Sequence, residues 1–132
     1  MGLINVNPDA ELRPDFETVK PGTYTMRIRD VEDRNPEKND LHITLEFVDP
    51  PMNLLNLSGQ PCKAVGIIHD YIMLDPDKQW KLRQLTEATG LPWTDYDPIA
   101  ELPGKELQVV IKLEPYEGEQ RNKVSRYVIP KE

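Results

Sequence analysis

Residues 105–129 read KELQVVIKLEPYEGEQRNKVSRYVI, and this stretch holds two strand-like runs separated by a polar loop. In the first run, residues 105–114, apolar side chains occupy every second position from Leu107 to Leu113. That spacing is the period of a half-buried strand. The second run, residues 123–129, can turn either of its two faces inward. The stretch therefore predicts a β-hairpin built from the last two strands of the domain.

The predicted hairpin gathers cations and aromatic rings in and beside its loop, namely Tyr116, Arg121, Lys123, Arg126 and Tyr127. Cations neutralise phosphates and aromatic rings stack on unpaired bases, so the combination indicates single-stranded nucleic acid. A plain structural interpretation stays open, because strands also carry solvated cations and half-buried tyrosines. Tyr127 can either stack on a base or lie in the core, since Val124 and Val128 compete with it for the inner face.

Upstream of the hairpin, the apolar pattern predicts three more strands and one helix. The first strand follows the Pro21-Gly22 turn, and its pattern shifts at Val31, which predicts a β-bulge. Asp75 is expected to cap the helix, and Gly90 to end it. A short turn is expected between Asp97 and Leu102. The second strand, the third strand and the helix are predicted at 41–47, about 63–74 and about 76–89.

The predicted order β-β-β-α-β-β is the element order of an OB-fold. We therefore predict a mainly β fold, a five-stranded OB-fold-like barrel with one α-helix between strands 3 and 4. It is expected to occupy residues 22–132, after an acidic extended arm at residues 1–21. Such folds commonly bind single strands or oligosaccharides on the sheet face and the loops.

The charge of the chain is acidic and unevenly distributed. Its 132 residues, a length that suits one domain, include 16 Lys and Arg and 23 Asp and Glu, for a net charge of −7. Residues 1–104 have a net charge of −8 (10 basic, 18 acidic), whereas residues 105–132 have +1 (6 basic, 5 acidic). The overall balance argues against strong non-specific duplex binding, which depends on many phosphate contacts. It leaves room for a local basic groove.

Further candidate contacts lie on the other strands. Arg27 and Arg29 are expected on one face of the first strand, where they either contact phosphates or pair with Glu46 or Asp30. Lys112, on the polar side of the fourth strand, would extend the same patch. Tyr71 is open to either a base or the core, and so are Trp93 and Tyr96. We expect Trp80 to pack in the core, because it shares a helix side with Leu82 and Leu85.

Enzymatic chemistry has little support in the sequence. Cys62 is the sole cysteine, so neither an internal disulfide nor a thiolate zinc cluster can form. His42 and His69 are the two histidines, and they do not follow a metal-ligand pattern. Neither a phosphate-binding glycine loop nor a nucleophile elbow is present. We expect no enzyme activity, no cofactor and no metal.

The cellular location of the protein can also be predicted from sequence features. No apolar run approaches the length of about 20 residues that crosses a bilayer, and Met1 to Val6 lack the layout of a signal peptide. Together with the single cysteine, this predicts a cytoplasmic protein with no membrane partner.

Between about residue 16 and residue 129, short motifs follow one another in a recognisable order. They are Val19-Lys20-Pro21-Gly22-Thr23-Tyr24, Leu41 to Phe47, Trp80-Lys81-Leu82-Arg83-Gln84-Leu85 with Ala88-Thr89-Gly90, Leu102-Pro103-Gly104-Lys105, and Tyr116-Glu117-Gly118 with Asn122-Lys123-Val124. Their order and spacing resemble a family of small phage early-region proteins thought to bind single-stranded DNA. The resemblance implies a role in phage replication or recombination, inside the host cell. The chain departs in its last residues, Val128 to Glu132, which lack the acidic tail of many such proteins.

We therefore expect sequence-independent binding of single-stranded DNA, with replication or recombination proteins as further partners. The expected contacts are Arg27, Arg29, Tyr71, Lys112, Tyr116, Arg121, Lys123, Arg126 and Tyr127. The alternative is an OB-like barrel that binds a protein partner and has no affinity for nucleic acid. A homodimer stays open, since edge strands of small barrels pair readily.

Overall fold

A computed structural model of the protein describes residues 16–130, and it is mainly β, with one five-stranded antiparallel sheet and few helices. The predicted helix lies between the third and fourth strands, and a second helix of four residues follows it there. The elements, numbered in chain order, are β1 Gly22–Asp33, β2 Asp40–Phe47, β3 Ile68–Met73, α1 Trp80–Ala88, α2 Pro98–Glu101, β4 Glu106–Tyr116 and β5 Glu119–Val128.

The strands follow the order β3-β2-β1-β4-β5, and every neighbouring pair is antiparallel. Three of the four ladders join strands that follow each other in the sequence. The exception is β1–β4, which pairs Gly22 to Arg27 with Ile111 to Glu106. Within residues 16–130, no ladder joins β3 to β5, so the predicted closure of the barrel is not found.

Side chains bridge the gap between β3 and β5, which we call the seam. The Tyr127 hydroxyl on β5 donates to Asp70 Oδ2 on β3 over 2.6 Å. Helix α1 adds a contact to each strand, because Lys81 Nζ lies 2.9 Å from Asp70 Oδ1 and Gln84 Oε1 accepts the Tyr127 backbone N–H over 2.9 Å. Both buried polar groups, the Asp70 carboxylate and the Tyr127 hydroxyl, are therefore satisfied, as burial requires.

The core lies on the inner face of the curved sheet, and two bulges decide which residues reach it. The predicted bulge in β1 is confirmed by a register shift between Ile28 and Asp30. A second shift leaves Ser125 of β5 without a partner on β4. Because of this extra residue, Val124 and Tyr127 are both buried, although strict alternation would place them on opposite faces.

The segment before β1 belongs to the domain from at least Glu17 onward. Val19 is fully buried and forms a bridge with Asn56. The Asn122 side chain binds the Val19 backbone twice, accepting its N–H over 2.9 Å and donating to its carbonyl over 2.8 Å. Part of the predicted arm therefore packs against the domain that follows it. Residues 1–15 of the predicted arm lie outside the described residues.

Several predicted element ends are corrected. Strand β3 starts at Ile68, not at residue 63, whereas β4 and β5 extend to a two-residue turn at Glu117 and Gly118, with φ of 50° and 81°. Residues 76–78 form a 3₁₀ turn, so α1 starts at Trp80. Asp75 does not cap it and accepts a hydrogen bond from Asn39 Nδ2 over 2.6 Å. The short helical turn expected between Asp97 and Leu102 is present as α2.

None of the helices within residues 16–130 combines the length and the apolar character that a membrane crossing demands.

Candidate nucleic-acid interface

The register of the β4–β5 hairpin gathers five predicted contact residues on one side. Lys112 lies opposite Lys123, Glu114 opposite Arg121, and Val110 opposite Arg126. Since side chains two positions apart share a face, these residues lie together. The hairpin face, as we call it, carries four cations and one carboxylate beside an exposed ring: Lys112, Glu114, Tyr116, Arg121, Lys123 and Arg126.

Glu114 forms ion pairs with two cations of the hairpin face. Its carboxylate lies 3.1 Å from the Arg121 guanidinium and 3.4 Å from Lys123 Nζ. Burial acts to raise the pKa of Glu114, but the hydrogen bonds from both cations outweigh it and leave that pKa lowered. The Arg121 guanidinium also lies 4.1 Å above the Tyr116 ring, a cation–π contact. Lys112 and Arg126 form no ion pair with another described residue.

A cleft of about 540 Å³ separates the hairpin from β3. Tyr71 and His69 line it from β3, and Lys81 reaches it from α1. On the opposite side it is lined by Arg121 and Lys123 of the hairpin face. Phe16, 63% exposed, lies at the point where this cleft meets a second one of about 470 Å³. Cations and aromatic rings therefore face each other across one groove.

The Tyr71 ring is partly exposed and contacts two other side chains. His42 stacks on it, with the ring centres 4.7 Å apart and an angle of 13° between the planes. The Arg34 guanidinium lies 4.5 Å from the ring centre and is itself held by both Asp40 oxygens over 2.6 Å. His42 and Arg34 do not line the cleft, whereas Tyr71 does. These contacts fix the orientation of a ring that is 48% exposed.

Both histidines of the chain meet beside Tyr71. His42 Nε2 and His69 Nδ1 share a hydrogen bond of 2.7 Å, and Glu32 Oε2 lies 3.6 Å from His42 Nδ1. Burial lowers the pKa of His69, and the nearby His42 lowers it further. Residues 16–130 contain no group of three or more His, Cys, Asp or Glu side chains arranged to hold a metal ion.

The two predicted arginines of β1 lie apart from the cleft between β3 and the hairpin. Arg27 is paired on both sides, 3.5 Å from Glu46 and 3.1 Å from Glu106, so the ion-pair alternative describes it. Its pKa is raised, first by the hydrogen bond to Glu106. Arg29 is exposed, lines the second cleft beside Phe16, and has no ion pair within residues 16–130.

Two aromatic predictions are corrected. Tyr127 is 1% exposed, so its ring is not accessible to a base, and burial raises its pKa well above the ordinary value. Trp80, expected in the core, is 66% exposed, because α1 starts there and turns Leu82 and Leu85 inward instead. Trp93 and Tyr96 pack against the core, and the Tyr96 hydroxyl is hydrogen-bonded to Thr86.

The cleft-lining residues that sequence reasoning missed include Phe16, His69 and Lys81. For one of them, His69, the sequence contained a usable pattern. In β3 the buried residues Ile68, Asp70 and Ile72 alternate with exposed positions, and His69 occupies one of these. The longer apolar run around β3 hid this period. Phe16 fell in the predicted arm, and Lys81 reaches the cleft through helix packing alone.

No protein-family model matches the chain, and neither does any curated protein.

Proposed function

We propose that this protein binds single-stranded DNA without sequence preference, in the cleft and on the adjoining hairpin face. One observation carries the proposal. Exposed Phe16 and Tyr71 line the same cleft of about 540 Å³ as Arg121, Lys123 and Lys81. Rings beside cations along a groove are the usual means of binding an unpaired strand, because bases stack on the rings while the cations follow the backbone.

Each side chain has a defined part in this proposal. Tyr71, Phe16 and Tyr116 offer exposed rings, and stacking contributes about 1–3 kcal/mol per base. Arg121 and Lys123 face the phosphates, helped by Lys112 and Arg126 on the same face. Tyr127 has no contact role here, and Arg27 has a minor one, since two carboxylates already hold it.

The charge distribution favours a single strand over a duplex. The net charge of −7 repels a polyanion, so binding requires a local basic surface. A duplex offers its phosphates outside and its bases inside, so the exposed rings would gain nothing from it. A single strand can present both its phosphates and its bases to the cleft.

The fold supports the same proposal. The strand order β3-β2-β1-β4-β5, with helix α1 against the seam, is compatible with an OB-like barrel whose ends are joined by side chains. In such folds the loop between the last two strands often contacts the ligand, and here it is the tip of the hairpin. The resemblance to phage single-stranded DNA-binding proteins points to replication or recombination as the setting.

The direct test is a fluorescence-anisotropy titration of labelled oligo-dT at two salt concentrations, with a duplex of equal length as control. We expect binding to the single strand and weak binding to the duplex. Each phosphate contact on a single strand contributes about −0.7 to the slope of log affinity against log salt, so four cations predict a slope of about −2 to −3.

Variants locate the site. Replacing Arg121, Lys123 and Arg126 with Ala together is expected to abolish most of the affinity. The matched control replaces three exposed cations elsewhere, Lys38, Lys63 and Lys105, which removes the same charge. If the first variant folds and keeps its DNA affinity, the hairpin face is not the site.

A protein partner is the second candidate, and the unpaired edge of β3 favours it. Within residues 16–130 no ladder joins that edge to another strand, so an extended peptide that displaced the side-chain contacts of the seam could pair with it. Binding of this kind depends weakly on salt. Absence of DNA binding even at low salt would favour this candidate.

A further inference from the structure

The two histidines beside the cleft differ in the partners of their ring nitrogens. His69 Nδ1 is engaged by His42 Nε2 at 2.7 Å, and the other nitrogen of His42 faces the Glu32 carboxylate at 3.6 Å. His69 is exposed and lines the cleft, and its Nε2 has no hydrogen bond within residues 16–130. One ring nitrogen of the pair is therefore free, and it belongs to the residue on the cleft.

The position of the protons in the neutral pair follows from Glu32. A carboxylate next to His42 Nδ1 favours a proton on that nitrogen, which leaves His42 Nε2 as an acceptor. His69 Nδ1 must then donate to it, so the free His69 Nε2 carries a lone pair and no proton. In this state His69 presents an acceptor to the cleft and repels a phosphate oxygen.

One added proton reverses this polarity. With a proton on His69 Nε2, that nitrogen becomes a donor to a phosphate oxygen. The positive charge can rest on either ring, because the shared proton can move from His69 Nδ1 to His42 Nε2, and Glu32 then balances the charge on His42. A second proton would place two like charges 2.7 Å apart and is disfavoured.

We propose that His42 and His69 form a proton-linked phosphate contact of the DNA site, which takes up one proton from solvent when a single strand binds. This inference rests on the proposed function. It names one contact residue outside the hairpin face, His69, with His42 acting through it, and predicts that affinity rises as the pH falls from about 8 to about 6, the range in which histidine titrates. The lowered pKa of His69 supports it, because the free protein then enters binding without that proton.

The surrounding charges fit this assignment. On the β1 side the pair faces Glu32, and Arg34 beside it is neutralised by Asp40. Across the cleft, each cation is accompanied by a carboxylate: Lys81 by Asp70, and Arg121 and Lys123 by Glu114. Carboxylates, lysines and arginines ordinarily keep their charges between pH 6 and 8, so the histidines are the residue type here that changes in this range.

The experiment is the same oligo-dT titration at pH 8, 7 and 6, at constant ionic strength. One linked proton allows at most a tenfold change in affinity per pH unit, and we expect a gain of about threefold to tenfold between pH 8 and pH 6. The chain has only two histidines, so a pH titration of the ring protons by NMR follows both directly. Saturating oligo-dT is expected to move the midpoint of His69 upward.

Variants separate the proton effect from structure. His69→Gln keeps a hydrogen-bonding side chain but cannot titrate, so its affinity should no longer depend on pH in this range. Glu32→Gln removes the balancing charge and should move the proton uptake to lower pH, whereas the control Glu37→Gln in the β1–β2 connection should not. Circular dichroism checks that each variant is folded.

The outcomes distinguish the two proposals. Binding whose pH dependence disappears in His69→Gln supports the inference. Binding that is independent of pH in the wild type, or that keeps its pH dependence in His69→Gln, overturns the inference and leaves the proposed function intact. If no binding occurs at pH 6 or at pH 8, the proposed function fails and the inference fails with it.

Discussion

If the proposed site binds DNA, Glu114 competes with the phosphates, because it already holds Arg121 and Lys123. Replacing it with Gln should release both cations toward the phosphates. Exposed ion pairs are worth at most about 1 kcal/mol, so we expect Glu114→Gln to bind oligo-dT about twofold to fivefold more tightly. The control is Glu87→Gln, which frees Arg83 on α1 instead. Weaker binding by Glu114→Gln would mean that the carboxylate positions the cations and does not compete.

Tyr127 joins β5 to β3 through one hydroxyl group. Removing it in Tyr127→Phe leaves a buried Asp70 oxygen without its donor at 2.6 Å. The expected loss in the free energy of unfolding is about 1–2 kcal/mol, measured by urea denaturation. Tyr116→Phe removes a hydroxyl from a ring that is 51% exposed and should change little. Equal stability of the two variants would show that the bond across the seam contributes nothing.

Among the secondary-structure elements, the connection between β1 and β2 is held by the ion pair of Arg34 and Asp40. The hydrogen bonds from Arg34 lower the pKa of the buried Asp40 below 3.8. A carboxyl group with a lowered pKa stabilises the fold above its unfolded pKa, and this stabilisation is lost as the pH falls through the folded pKa. Arg34→Gln should therefore lower the free energy of unfolding at pH 7, and by progressively less below about pH 4.

Urea denaturation of both proteins at pH 7, 5 and 3 measures this difference. A gap of the same size at pH 3 would assign the effect to the contact of Arg34 with Tyr71 and not to Asp40.

Helix α1 covers the free edge of β5 through Gln84. In Gln84→Ala the backbone N–H of Tyr127 loses its acceptor at 2.9 Å, so its amide should exchange with solvent about tenfold faster or more. Hydrogen exchange followed by NMR measures this at single residues. Arg83→Ala, on an exposed position of the same helix, is the control and should leave the rate unchanged. Unchanged exchange in Gln84→Ala would show that water replaces the side chain at no cost.

The elements that sequence reasoning predicted best are those whose pattern is local. The alternation in β2 and β4 and the shift at Val31 each report on neighbouring residues, and the structure follows them. The inner face of β5 could not be predicted, because the bulge at Ser125 depends on how β5 pairs with β4. The start of α1 was wrong for a similar reason, since Asp75 bonds to Asn39 from another part of the chain.

For the molecule as a whole, the hairpin face was predictable and the cleft was not. Strand register alone brings Lys112, Tyr116, Arg121 and Lys123 together. The cleft requires the curvature that brings β3 toward the hairpin, and no sequence pattern encodes that approach. The histidine pair was invisible for the same reason, because His42 and His69 are 27 positions apart and meet only through the β2–β3 register.

The β1–β4 ladder, which joins distant parts of the sequence within the described residues, has a consequence for the order of folding. The β1-β2-β3 meander and the β4–β5 hairpin can each form from neighbouring residues, but β1 must then find β4 across the intervening chain. The entropy of closing that large loop is lost before the contacts compensate for it, so the docking of β4 on β1 should limit the rate.

Stopped-flow refolding of variants measures whether the docking of β4 on β1 limits the folding rate. Val109→Ala, at the buried β1–β4 junction, should slow folding, with a φ-value of about 0.5 or more. Ile43→Val, in the local β1–β2 ladder, should mainly speed unfolding, with a φ-value of about 0.3 or less. The reverse pattern would place the nucleus in the meander. If docking does limit the rate, the proposed cleft, which needs both β3 and the hairpin, forms only after the slowest step, and a newly made chain would gain the proposed affinity for DNA last.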